Sequence, residues 1–136
     1  MGQLTSQNGR FLLDTNIIIH LLNGEQQIIE KISSASEVFV SSIVVGELYY
    51  GAYKSSKQKQ NIERLNKLVK ALPVLPCDTD VALEYGVIKA QLLKKGKPIP
   101  ENDIWIAAIA KKHNLTMVTR DGHYEYIDEL EIEHWQ

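Results

Sequence analysis

A short apolar run that ends at a carboxylate and leads straight into a helical pattern restricts how this chain can fold. Residues 11–13 are apolar, show no helical period and have the length of a buried strand. Asp14 ends the run, Thr15 is a favourable helix N-cap, and residues 17–22 carry apolar side chains at helical spacing. An acid between a strand and a helix lies where open α/β sheets bind ligands, although an Asp that only caps the helix fits the same pattern.

The alternation of strand and helix continues along the chain. Buried or edge strands are predicted at 10–14, 37–41, 73–76, 115–119 and 130–135. Helices are predicted at 15–23, 25–34, 43–54, 58–72, 80–95 and from about 101 to 114, the last with Asn102 as its N-cap. This order predicts an α/β protein, a three-layer α/β/α sandwich with a mostly parallel central sheet. We expect a flexible segment at residues 1–9 and one folded domain at residues 10–136.

Composition sets limits on function. The 136 residues are 44% hydrophobic and 24% charged, with a net charge of −2, so a strongly basic nucleic-acid binder is not indicated. Cys77 is the only cysteine, which excludes an internal disulfide and favours a reducing, cytoplasmic location. No apolar run approaches the length of a membrane span, so we expect no membrane association.

Four acids occupy comparable positions relative to the predicted strands. Asp14 and Asp121 follow strands, Glu47 lies in the helix after a strand, and Asp103 begins a helix. Right-handed crossovers bring these positions to the carboxyl end of one sheet. Carboxylates crowded together repel unless a cation compensates, and Mg²⁺ or Mn²⁺ prefers oxygen ligands.

Glu47 is the acid whose position is most unusual, because its predicted helix is apolar over much of its circumference. A Glu there is hard to explain by packing, although a narrow solvated stripe remains an alternative. The four histidines are scattered, and we expect each to be a surface or packing residue rather than a catalyst.

Four motifs around the acids follow one another along the chain. They are Leu13-Asp14-Thr15-Asn16, Ser41-Ser42-Ile43-Val44-Val45-Gly46-Glu47-Leu48-Tyr49-Tyr50-Gly51, Asn102-Asp103-Ile104-Trp105-Ile106-Ala107-Ala108 and Val118-Thr119-Arg120-Asp121. In this order they resemble the PIN-domain family, and within it the VapC-type toxins. With the closing Ile132-Glu133-His134-Trp135 they extend over nearly all of the chain beyond residue 9. The resemblance implies a PIN-like α/β/α sandwich and an endoribonuclease dependent on Mg²⁺ or Mn²⁺.

The resemblance also implies roles for individual residues. Asp14, Glu47, Asp103 and Asp121 are the expected catalytic acids, with Asn16 and Thr119 as polar supports. As a hypothesis of mechanism, Asp14 and Asp103 bind the metal directly, whereas Glu47 and Asp121 act directly or through water. Basic residues could contact RNA phosphates; these are Arg120, Lys94, Lys95 and Lys97.

For partners, the resemblance implies an RNA substrate, a cognate antitoxin protein and a homodimer. Two alternatives are a housekeeping PIN-domain nuclease for RNA processing and a non-catalytic module that binds partners through its acids. A third is a phosphotransferase with an aspartyl nucleophile, which calls for a second Asp where this chain has Asn16.

Overall fold

The computed structural model describes residues 9–136, so the segment expected to be flexible falls, apart from Gly9, outside the described residues. Five strands form one parallel sheet in the described part: β1 Arg10–Leu13, β2 Glu37–Ser41, β3 Val74–Leu75, β4 Thr116–Thr119 and β5 Ile132–His134. Six helices flank the sheet: α1 Thr15–Leu22, α2 Gln26–Ser34, α3 Ser42–Tyr53, α4 Gln58–Ala71, α5 Thr79–Lys94 and α6 Glu101–Lys112. A 3₁₀ segment, Gly122–Tyr126, connects β4 to β5. The predicted α/β/α sandwich is confirmed.

The strand order β3-β2-β1-β4-β5 places β1 at the centre of the sheet. Leu12 and Leu13 are completely buried, as expected for a parallel strand covered by helices on both faces. The chain moves outward from β1 through β2 and β3, then returns to place β4 on the other side of β1. The connections leave β1 and β4 in opposite directions along the sheet, so a crevice opens beyond their carboxyl ends.

Local sequence signals explain several helix ends. Ser41 caps α3, with its hydroxyl accepting a hydrogen bond from the Val44 amide at 3.1 Å, and Asp78 caps α5 in the same way at 3.0 Å from Val81. Gly24 adopts φ +77° just beyond α1, a conformation that glycine accommodates without strain.

Two expected N-caps are wrong. Asp14, rather than Thr15, is the N-cap of α1, because the strand ends one residue earlier and its carboxylate reaches the first free amide. Pro100, rather than Asn102, is the N-cap of α6, because its fixed φ leads directly into the first turn at Glu101. Asn102 therefore lies inside the helix, with its side-chain amide free for another partner.

Across residues 9–136, no helix combines the length and the apolar character that crossing a bilayer requires.

Leu12→Ala tests the central position of β1. We expect it to lower the free energy of unfolding by about 2–5 kcal/mol, because it leaves a cavity in the sheet's buried centre. Leu83→Ala, on the exposed face of α5, should change it by less than about 0.5 kcal/mol. Urea unfolding measures both, and equal losses would contradict the assignment of β1 to the core.

Candidate active site

Asp14 is fixed at the carboxyl end of β1 by bonds to three parts of the chain. Its backbone amide donates to the Val118 carbonyl at 2.9 Å, which continues the pairing with β4. Its carboxylate accepts from the Thr15 amide at 2.8 Å, the Thr119 hydroxyl at 2.7 Å and the Tyr124 hydroxyl at 3.3 Å. The helix-capping alternative is therefore correct as far as it goes, but capping uses only part of this side chain's bonding.

Burial raises the pKa of the Asp14 carboxyl, since only 5% of the residue is exposed to water. The hydrogen bonds from Thr119 and Thr15 oppose this increase, and the charge of Asp103 adds to it. Burying such a carboxylate is energetically unfavourable, so its presence here points to a role beyond packing.

Glu47 lies in α3 and reaches towards the segments that follow β1 and begin α6. One of its oxygens accepts from the Thr15 hydroxyl at 2.7 Å, and the other accepts from the Asn102 amide at 3.3 Å. These partners are sequence neighbours of Asp14 and Asp103. Glu47 is thus half-buried beside the other acids and does not lie on a separate solvated stripe.

Asp103 projects from the first turn of α6 and meets the 3₁₀ segment. Its Oδ1 accepts from the Tyr124 hydroxyl at 3.3 Å, and its Oδ2 lies 3.1 Å from His123 Nδ1. Burial raises the pKa of the Asp103 carboxyl, the His123 hydrogen bond lowers it, and the charge of Asp121 raises it again. Asp14 and Asp103 are therefore linked through one tyrosine hydroxyl.

Asp121 completes the acidic set at the start of the 3₁₀ segment. Its Oδ1 accepts from the His123 amide at 3.1 Å and also lies 3.1 Å from His123 Nδ1. One ligand atom each from Asp103, Asp121 and His123 lies within 4.8 Å of the others. His123 thus lies beside the acids, and the expectation that it is not a catalyst stays a prediction.

The two predicted polar supports lie beside the acids. Thr119 donates to Asp14 and accepts from the Asp121 amide at 2.9 Å. Asn16 accepts from the Arg120 amide at 3.3 Å, and its own amide lies 3.5 Å from the Thr119 hydroxyl. Both residues thus connect the ends of β1 and β4.

The basic residues proposed to contact RNA have varied surroundings. The Arg120 guanidinium donates to the Trp135 carbonyl at 2.6 Å and pairs with Glu25 at 2.9 Å, so two of its nitrogens are engaged within the protein and its contact with RNA stays a prediction. Lys95 pairs with Asp128 and donates to the Tyr126 carbonyl at 3.0 Å. Lys94 is exposed, and Lys97 lies 5.1 Å from the centre of the Tyr126 ring.

The donor set fits a hard divalent cation. Carboxylate oxygens predominate in the crevice, and the adjacent groups are hydroxyls, an amide and one imidazole. Oxygen-rich sets of this kind suit Mg²⁺ and Mn²⁺, whereas zinc sites are richer in cysteine and histidine. Sequence reasoning missed Tyr124 and His123, because neither residue type nor spacing links them to Asp14 or Asp103.

Raised pKa values at Asp14 and Asp103 predict how stability changes with pH. A carboxyl that binds its proton more tightly in the folded protein contributes stability below its ordinary pKa of 3.8, and loses that contribution as pH rises through its folded pKa. Asp14→Asn should therefore stabilise the cation-free protein relative to the unmodified chain as pH rises from about 4 towards neutrality.

Urea unfolding in the presence of a chelator measures this difference at each pH. Asp78→Asn is the matched control, because it changes another capping Asp, on α5, and should keep the original pH dependence. An Asp14→Asn curve parallel to that of the unmodified chain would contradict the prediction.

Comparison with known proteins places this geometry in a family. The PIN-domain model matches residues 11–130. "Ribonuclease VapC2" of Haemophilus influenzae is 38% identical over 129 residues, which cover 93% of this chain and 98% of the relative. "tRNA(fMet)-specific endonuclease VapC" of Salmonella typhimurium is 36% identical over the same shares of the two chains.

Solved structures agree. The DNA-bound VapBC complex of Salmonella typhimurium contains a chain with a TM-score of 0.88 and 35% identity, covering 93% of this chain and 98% of that one. FitAcB of Neisseria gonorrhoeae gives a TM-score of 0.80 at 33% identity, covering 90% and 95% respectively. With its acids gathered at the end of a central strand and relatives of this similarity along most of its length, the chain belongs to the PIN-domain family, as a VapC-type member.

Proposed function

We propose that this protein is an endoribonuclease that hydrolyses RNA phosphodiester bonds with Mg²⁺ or Mn²⁺, and that it is the toxin of a toxin–antitoxin pair. The observation that carries this proposal is the connected network of four carboxylates, from Asp14, Glu47, Asp103 and Asp121, at the switch point of the sheet. The names of the VapC relatives, which are ribonucleases, support the same reaction.

In this mechanism Asp14 and Asp103 would hold the cation, and Asp121 and Glu47 would hold it directly or through water. When bound, such a cation would lower the pKa of a coordinated water and offset negative charge on the phosphodiester. Glu47 accepts the proton of the attacking water at a carboxylate oxygen, while Thr15 and Asn102 keep that carboxylate directed at the crevice.

Two features favour a toxin over a housekeeping nuclease or a non-catalytic acidic module. The relatives are matched over 97% or more of their length, and several solved neighbours are toxin–antitoxin complexes. The cost of burying Asp14 is difficult to explain in a surface used only for binding. A Salmonella typhimurium relative is named for tRNA(fMet), so that tRNA is the first substrate to assay.

Asp14→Asn tests the catalytic assignment. We expect RNA cleavage to fall by roughly 10²-fold or more, because one charged group is lost from the cation's surroundings while the helix cap is kept. Chelation should abolish the activity of the unmodified protein, and added Mg²⁺ or Mn²⁺ should restore it. The assay is cleavage of tRNA(fMet) and total RNA, with Asp78→Asn as the control that keeps activity. Undiminished cleavage by purified Asp14→Asn would contradict the assignment.

An apolar groove provides a place for the antitoxin. It lies between α1, α3 and α4 and is lined by Ile19, Leu22, Leu48, Ala52 and Leu65. Its apolar lining suits an apolar face of an antitoxin segment, the kind of partner present in the solved neighbours. The expected homodimer remains a prediction, which light scattering at several concentrations addresses.

Ile19→Asp tests the groove. Ile19 is 44% exposed, so the substitution should leave the fold and RNA cleavage intact and weaken inhibition by the antitoxin at least about 10-fold, through a buried unpaired charge. Val87→Asp, on α5 at 43% exposure, is the matched control and should remain fully inhibited. The measurement is RNase activity titrated with the antitoxin encoded beside this gene; equal inhibition of both variants would remove the groove from the interface.

A further inference from the structure

The Tyr124 hydroxyl lies between the two carboxylates assigned to the cation. It is 3.3 Å from Asp14 Oδ1 and 3.3 Å from Asp103 Oδ1, so these two oxygens are no further apart than twice that distance. We propose that Tyr124 is a positioning residue that orients the Asp103 carboxylate relative to the fixed Asp14 carboxylate for cation binding, an inference that rests on the proposed metal-dependent function.

Burial restricts the Tyr124 hydroxyl to partners within the protein. The residue is completely buried, and the 3₁₀ segment that carries it is capped by Asp121, another member of the acidic set. Both distances exceed the 2.7–2.8 Å or so that is usual for a hydroxyl donating to oxygen, as expected when one proton is shared between two acceptors. The phenol thus joins a strand end to a helix start through a single atom.

Each carboxylate is also held at its second oxygen. Thr119 donates to Asp14 Oδ2 at 2.7 Å, and His123 Nδ1 lies 3.1 Å from Asp103 Oδ2. For Asp103, Tyr124 therefore supplies the restraint on Oδ1, whereas Asp14 Oδ1 is also held by the Thr15 amide at 2.8 Å. Without the Tyr124 hydroxyl, Asp103 keeps its contact with His123 and gains freedom to turn about its χ2 bond. Asp14 keeps its bonds to Thr119 and Thr15 but loses its link to Asp103.

The phenol remains a donor under ordinary conditions. Burial raises the pKa of the Tyr124 hydroxyl, and the neighbouring charges of Asp14 and Asp103 raise it further. Phenylalanine retains the ring and its packing, so Tyr124→Phe removes the shared hydrogen bond alone. Loss of a group that orients metal ligands typically weakens metal binding by about 10–100-fold.

The test is the affinity of the RNA-free protein for Mn²⁺, measured by electron paramagnetic resonance of the free ion. We expect Tyr124→Phe to bind Mn²⁺ at least about 10-fold more weakly than the unmodified protein. Its RNA cleavage should be impaired at low Mn²⁺ and should recover at saturating Mn²⁺, a pattern that general loss of folding does not produce.

Tyr49→Phe is the matched control. It removes a hydroxyl that donates to Asn66 at 2.6 Å between α3 and α4, and it should leave Mn²⁺ affinity unchanged. Equal affinity of Tyr124→Phe and the unmodified protein would overturn the positioning role while leaving the proposed function standing. An unmodified protein that binds no Mn²⁺ and cleaves no RNA would overturn both.

A second measurement uses the unmodified protein, should Tyr124→Phe fail to fold. A buried, hydrogen-bonded tyrosine hydroxyl exchanges slowly with water and gives its own proton resonance. Titration with Mg²⁺ should shift the Tyr124 resonance in step with cation binding, because both acceptors change their surroundings. A resonance that stays in place while Mg²⁺ binds would overturn the proposal.

Discussion

The site depends on one buried carboxylate whose position is fixed before any ligand arrives. Asp14 follows the central strand β1, caps α1 and accepts a hydrogen bond from the Thr119 hydroxyl of β4. Its backbone and its side chain are therefore both restrained. β1 holds the Asp14 backbone in place. The connections that leave β1 and β4 run in opposite directions along the sheet, and the crevice between them gives the Asp14 side chain access to ligands. The other acids belong to the same site because hydrogen-bonded groups connect them to Asp14 or to its sequence neighbour Thr15.

The groups that hold the acids are mostly neutral. Thr15, Asn102, Thr119 and Tyr124 donate hydrogen bonds without bringing positive charge, and His123 is the one group among these contacts of the described residues that becomes positively charged when protonated. Neutral donors orient carboxylates but neutralise little of their mutual repulsion. The arrangement therefore leaves repulsion among the carboxylates that a bound divalent cation would offset, in keeping with the metal use that we propose.

Arg120 shows how tertiary structure determines the use of a charge. From the sequence, an arginine beside a catalytic acid is a natural phosphate contact. In the folded chain it joins Glu25, before α2, to the carbonyl of Trp135, beyond β5, and lowers the pKa of the Glu25 carboxyl through its hydrogen bond and charge. Arg120 thus connects the segment after β5 to the residue that precedes α2.

The sequence alone predicts the architecture, which the structure confirms, and it points to the four acids that we propose as catalytic. Apolar runs of strand length, helical periodicity and turn residues are local signals, and the right-handed crossover rule converts their order into a common edge for Asp14, Glu47, Asp103 and Asp121. Two helix N-caps were predicted wrongly, because Asp14 and Pro100 precede the expected caps and compete with them for the same helix start.

Three contacts of the site follow from the tertiary structure alone. Tyr124 bridges Asp14 and Asp103, His123 contacts Asp103, and Arg120 pairs with Glu25. These contacts join residues up to 110 positions apart, and their geometry follows from packing and the exact path of the 3₁₀ segment, which no local pattern encodes.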